Sequence, residues 1–309
     1  REGELCQVCG RAGNDKVNLM GGIGMATCAL CGKLGPLRDS HIVPKFVIRY
    51  LKETAAGKIR NLEAPNRTVE DGEKHQLLCA DCEELFSSRE KYFADTVFYP
   101  YKKNKAVTFN YNERLFYFMT SLSWRSLYLD AQDENYPSSA RLEMNVAIDS
   151  LRQFLLGRAP APQQVENHLF FFDVAVSSTL TGEAANTPNV IMHRSITSYT
   201  VAANDDSSIF VFTNMMGIIV VTFIKRDENE IWENTKIVNG TGLIEAKKQK
   251  VKSIMVQEIK RMLEYSCEMQ SSVSEKQQQA ILQRIKAHGT DIQNFPFYQD
   301  WLDDRSLKQ

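Results

Sequence analysis

A chain of 309 residues is long enough for two domains, or three if one is a small metal-stapled module. Hydrophobic residues make up 43% and charged residues 24%, ordinary values that exclude a disordered or fibrous chain. The formal charge of −1 gives no global pull towards nucleic acid, so any such binding must come from local patches.

The longest strongly apolar run, residues 215–224, is too short to span a bilayer, and no basic-then-apolar signal region opens the chain. The expectation is therefore a cytoplasmic protein with no membrane partner. Six of the seven cysteines fall in Cys-x2-Cys pairs, which favours thiolates on metal in a reducing compartment over disulfides. The seventh, Cys267, lies in a helical pattern and reads as a small buried hydrophobe.

In chain order, residues 1–24 carry Cys6-Gln-Val-Cys9 and close on a glycine-rich run, a flexible extension by composition. Cys28-Ala-Leu-Cys31-Gly32 follows, with Gly32 able to take the positive φ of a tight metal-binding knuckle. Pro44 suits the first turn of a short helix over residues 46–52, with a strand as the alternative. Residues 55–74 are polar and rich in turn formers, so loops or a hairpin are expected. Cys79-Ala-Asp-Cys82 opens a helix over residues 80–97 that buries Leu85, Phe86, Phe93 and Val97 and stops before Pro100.

A basic connector at residues 101–105 leads to a helix capped by Asn112 and running to residue 129. A second helix over 139–156, closed by Gly157, completes a helical hairpin. Ala159-Pro-Ala-Pro162 reads as a stiff linker and a domain boundary. Residues 169–176, 189–192, 198–201, 209–212 and 217–224 read as strands, with turns at 204–206 and at Asn214. Without intervening helices they imply a mostly antiparallel sheet. Helices return beyond residue 245, the last over 275–288. The predicted fold is α+β: a zinc-binding module over 25–110, the hairpin over 111–158, and a sheet flanked by helices over 163–309. The last region would serve substrate selection, sensing or self-association as a homo-oligomer.

The two pairs Cys28/Cys31 and Cys79/Cys82 bracket a single Ser40-His41-Ile-Val-Pro44 segment. Zn²⁺ takes four tetrahedral thiolates without strain, and a knuckle plus a pair at a helix start is the ligand arrangement of a treble-clef finger. One structural zinc on Cys28, Cys31, Cys79 and Cys82 is therefore expected. The competing arrangement is a zinc ribbon, joining Cys6 and Cys9 to Cys28 and Cys31, whose pairs are separated by 18 residues.

This order of motifs resembles the HNH (ββα-metal) endonuclease superfamily. It is closer still to a group of uncharacterised prokaryotic proteins with a Cys-x-x-Cys…Ser-His-Ile-Ile-Pro-Lys-Phe…Leu-Leu-Cys-x-x-Cys-Glu pattern. The likeness covers roughly residues 25–100 and does not extend beyond them. It implies a metal-dependent hydrolase of phosphodiester bonds in DNA, with RNA as the lesser alternative. His41 would be the general base, and Mg²⁺ or Mn²⁺ a catalytic cation separate from the zinc.

The chain departs from the pattern at several positions. Ser40 stands where the family carries Asp or His, and Asp39, on the face opposite Ser40, is the substitute metal ligand. The mid-motif Asn aligns with Lys74, with Asn66 and Asn61 as alternatives, and Asn66 is taken as the catalytic candidate. The final His or Asn aligns with Glu83, a hard-oxygen ligand for the cation, to which Glu90 could add. Lys45, Arg49, Arg60, Arg67 and Lys74 are the candidate nucleic-acid contacts. His75 is surplus to four thiolates, and His168, His193 and His288 read as structural. The alternative function is a non-catalytic zinc-stabilised module that binds nucleic acid or protein.

Overall fold

Two-residue strands β1 (Ala26–Thr27) and β2 (Leu34–Gly35) pair antiparallel and carry the first cysteine pair between them. The structure, a computed structural model, describes residues 25–55, 58–172, 188–203 and 207–306. The expected extension with Cys6 and Cys9 lies outside them, as does the expected turn at 204–206. Next come β3 (Arg38–His41), α1 (Lys45–Glu53), β4 (Lys74–Leu78) and α2 (Ala80–Phe93). β3 and β4 form an antiparallel hairpin in which His41 faces Lys74 across the ladder. A knuckle at the first cysteine pair and a helix starting at the second are as the sequence leads one to expect.

α2 does not stop before Pro100. It passes through a π-helical turn, Ala94–Phe98, into α3 (Tyr99–Asn104), and Pro100 sits in the first turn of α3. The π turn just before it, which Tyr99 N–H closes by donating to Ala94 O, lets the helix pass a residue that cannot donate. The basic connector is thus helical, and the chain leaves it at Lys105.

Strand β5 (Thr108–Tyr111) precedes α4 (Glu113–Asp130) and α5 (Ser138–Leu155), the expected helical hairpin. Asn112 caps α4 by accepting the Arg114 N–H at 3.0 Å.

The second half contains β6 (Glu166–Phe171), α6 (Pro188–Arg194), β7 (Ile196–Ala202), β8 (Ile209–Met215) and β9 (Ile218–Lys225). After these come β10 (Ile231–Glu233), β11 (Lys236–Ile237), β12 (Gly242–Glu245) and β13 (Lys250–Lys252). Three helices close the described chain: α7 (Ile254–Ser271), α8 (Glu275–Ala287) and α9 (Pro296–Ser306). The main sheet is antiparallel throughout, in the order β11-β6-β9-β8-β7. Every residue of β8, and all of β9 but its last, is buried, so these strands read as apolar runs rather than alternations. The fold is α+β, as expected.

Three expectations in this half need correction, the simplest being that the helix near 275–288 is not the last, since α9 follows it. Residues 189–192 belong to helix α6, not to a strand, despite Val190 and Ile191. The Asp304 carboxylate of α9 accepts the N–H groups of Asn189 and Val190 at 2.9 and 3.0 Å, which satisfies helix donors that the local sequence leaves open. Asn214 lies inside β8, where its side chain ties Ser195 Oγ and the Gly217 N–H, and the turn is at Met216-Gly217.

One apolar cluster runs from Cys28 and Leu30 through Phe86, Phe93, Leu115, Trp124 and Leu151 to Val220 and Ala246. The stretches expected as separate modules share this core, and β5 pairs with β12 across more than a hundred positions. α4 lies between the cysteine module and the sheet. Its sheet-facing side is a seam of small hydroxyls: Ser123 Oγ meets Thr222 Oγ1 at 2.6 Å, and Asn167 Nδ2 donates to Thr120 Oγ1 at 3.0 Å. The opposite sheet face packs Phe210, Phe212 and Phe223 against Met255, Ile259 and Leu263 of α7. No helix among the described residues is long and apolar enough to cross a membrane.

Candidate functional site

The knuckle is built by backbone first. Gly32 takes φ 77° and its N–H donates to Cys28 O at 2.9 Å, while Ala29 N–H donates to Leu77 O at 3.0 Å. That second bond docks the knuckle on β4, directly before Cys79. Cys79 is the N-cap residue of α2, so Cys82 falls in the first turn. The sulfurs of Cys28, Cys31, Cys79 and Cys82 all lie within 4.8 Å of one another and could hold one metal ion.

The donor set fits that role. A tetrahedral thiolate site with bonds of about 2.3 Å has edges of about 3.8 Å, and Cys31 Sγ and Cys79 Sγ are 3.8 Å apart. Cys28 Sγ accepts the Cys79 N–H at 3.3 Å. Burial opposes ionisation of Cys28, but backbone N–H groups outweigh it and bring its thiol to about 7. Burial and the neighbouring thiols push Cys82 far up instead. A dication supplies the positive charge that four converging sulfurs need. The ribbon alternative is not needed to complete a four-sulfur set.

His41 ends β3 with its side chain 15% exposed. Its Nε2 is 3.0 Å from Asp71 Oδ1, a residue the sequence marks only as part of an Asp-Gly turn. Asp71 also accepts the Gly72 N–H at 2.9 Å and Lys74 Nζ at 3.2 Å. Burial opposes ionisation of Asp71, but the bonds from His41, Gly72 and Lys74 outweigh it and hold the carboxyl well below the usual carboxylate range. An ionised Asp71 only accepts, so Nε2 donates its proton to the carboxylate. Gly72 lets this loop lie against α1, since a Cβ there would meet Ile48 Cδ1 at 2.1 Å.

The other expected residues are distributed around this pair. Asp39 is exposed on β3, two positions before His41 and so on its face of the strand. Glu83 is half-buried, and its Oε1 is shielded from solvent with no hydrogen-bond partner among the described residues. Glu90 is turned to Arg125, 2.8 Å from Nη2. Asn66 is not beside His41. Its side chain accepts the Ser274 N–H at 2.9 Å and donates to Ser272 O at 3.4 Å, at the α7–α8 turn. Asn61 accepts the Glu63 N–H within its own loop.

Arg60 donates to Pro65 O and Gln277 Oε1, both at 2.8 Å, and Lys74 is held by Asp71. Lys45, Arg49 and Arg67 are exposed. His75 pairs with Glu73 at 2.8 Å, and His168 and His193 pair with Glu166 and Asp300. Among the described residues no second group of three or more His, Cys, Asp and Glu side chains converges on one point, so Asp39, Glu83 and Glu90 do not form a preassembled cation site.

No protein-family model matches this chain, and no curated protein and no solved structure matches it.

Proposed function

We propose that the chain is an HNH-like endonuclease that hydrolyses phosphodiester bonds in DNA, with zinc as the structural ion on its four cysteines. The observation that carries the reading is the His41–Asp71 pair at the end of a hairpin whose partner strand runs into the cysteine-pinned helix. Asp71 fixes the imidazole tautomer, and Nδ1 takes the proton of the attacking water. Lys45, Arg49 and Arg67 supply exposed cations for the backbone of the substrate. A hard divalent cation, when bound, neutralises the scissile phosphate and the leaving oxygen. Glu83, with a buried carboxylate oxygen that has no hydrogen-bond partner among the described residues, and the exposed Asp39 are the residues that would hold it.

A second reading, a zinc-stabilised module that binds nucleic acid or protein without catalysis, is favoured by one observation. The carboxylates expected to hold a catalytic cation do not converge among the described residues. A cleavage assay on supercoiled plasmid with Mg²⁺ or Mn²⁺, wild type beside His41→Ala, separates the two. Cation-dependent nicking that vanishes in the variant supports the endonuclease. Binding of DNA without nicking under any divalent cation supports the module.

A further inference from the structure

Arg125, in the middle of α4, is 1% exposed and among the largest fully buried side chains of the protein. Its guanidinium reaches three elements at once. Nη1 donates to the backbone carbonyl of His41 at 2.7 Å, and Nε donates to Ser121 O, one turn back on α4, at 3.3 Å. Nη2 lies 2.8 Å from Glu90 Oε1 on α2, and the guanidinium carbon stands 5.4 Å from the centre of the Phe86 ring. Stability alone does not account for a charge placed here, because buried ion pairs are often replaced by apolar side chains without loss. A guanidinium offers what an apolar residue cannot: a planar fork whose directions are fixed relative to one another.

We propose that Arg125 is a positioning residue that holds the backbone of His41 in register with α2 and α4, and so aims the imidazole. His41 is the last residue of β3, and the peptide that follows it is held from two sides: Ile42 N–H donates to Glu73 O at 3.1 Å, and Arg125 donates to the His41 carbonyl. It is gripped at both ends: its carbonyl by Arg125, its ring by Asp71. The anchor behind Arg125 is rigid, since α4 is clamped to the sheet through Ser123 and Thr222 and capped by Asn112. Glu90 then serves as the counter-ion of Arg125 rather than as a cation ligand. Displacements of about 1 Å at a proton-transferring group cost about 10²-fold in rate, which makes such a grip functional rather than ornamental.

The inference rests on the endonuclease reading for its activity arm only. The paired replacement Arg125→Met with Glu90→Leu removes both charges at similar volume, in the full chain. It is expected to keep metal content and cooperative unfolding, while kcat for plasmid cleavage falls about 10²-fold with KM unchanged. Nitrogen-15 imidazole spectra supply a readout that a purely structural role would not move. The His41 Nε2–H proton, held by Asp71 in wild type, should exchange with solvent at least about tenfold faster in the paired variant. Unchanged exchange overturns the proposal, whatever the rate does. If the paired variant does not fold, Arg125→Lys, which keeps the charge and loses the fork, decides by the same exchange measurement. If the wild type cleaves nothing, the endonuclease reading fails while the exchange arm still decides the role of Arg125.

Discussion

Cys31 Sγ lies 3.8 Å from Cys79 Sγ although 48 positions separate the two residues in the chain. The Ala29–Leu77 backbone bond brings the two pairs together, and four sulfurs this close could hold one metal ion that balances their charge. Cys79→Ser is therefore expected to release the metal and unfold the N-terminal module, because ligand assembly and folding are one process in such sites. Cys6→Ser is expected to keep full metal content. Elemental analysis beside thermal unfolding checks both, and the reverse pattern would restore the ribbon pairing.

The His41–Asp71 pair leads to a graded set of activities. His41→Ala should lower cleavage by about 10²–10⁴-fold, as loss of a general base typically does, with metal content and DNA affinity unchanged. Asp71→Asn can offer its amide to the ring and stabilise the wrong tautomer, so it should lose at least about 10²-fold. Glu83→Gln should lose activity that excess Mn²⁺ partly restores. A plasmid-nicking time course across the three variants reads all of these.

His168 sets a pH dependence of stability. It is buried against Trp232 and Thr235, and burial pushes its imidazole down to about 4 despite the opposing pull of Glu166. Between the ordinary histidine value of 6.5 and about 4, the unfolded chain takes up a proton that the native protein does not. Stability contributed by neutral His168 is thus complete above 6.5 and falls as pH drops, by about 3 kcal/mol in full. Urea unfolding at pH 7 and pH 5 should show this fall in wild type and a shallower one in His168→Gln.

Asp304 is 1% exposed and accepts from Asn189 N, Asn189 Nδ2 and Val190 N. Asp304→Ala leaves those donors without a protein partner and should cost at least about 2 kcal/mol. Hydrogen exchange should show the loss concentrated in α6. An effect spread evenly over the chain would mean that α6 does not depend on this cap.

Local signals placed much of this architecture. The Cys-x2-Cys pairs marked the four-cysteine cluster that could hold a metal, and Asn112 and Gly157 marked the ends of the helical hairpin, because each acts on its own neighbours. What sequence did not reveal depends on partners far along the chain. Residues 189–192 look like a strand, since Val and Ile favour one, and become helical through a carboxylate 115 positions away. Asp71 looks like a turn residue and becomes the partner of His41 only when the hairpin closes. Arg125 sits in a helical stripe that gives no hint of its burial, because its acceptor is a backbone carbonyl on another element. The distant bonds of Asn66 to the α7–α8 turn were equally invisible.

The hydroxyl seam on α4 also dictates an order of events at the ribosome. α4 ends at Asp130, but its partners on β9 are complete only at Lys225, about 95 residues later. At synthesis rates of about 5–20 residues per second, the emerging helix waits roughly 5–20 s for its sheet. During that interval its aromatic side can lean on the four-cysteine module, while Thr120 and Ser123 stay wet without penalty. A side of leucines there would have presented a sticky surface to every neighbouring nascent chain. Small hydroxyls give the half-made protein a face that tolerates the delay.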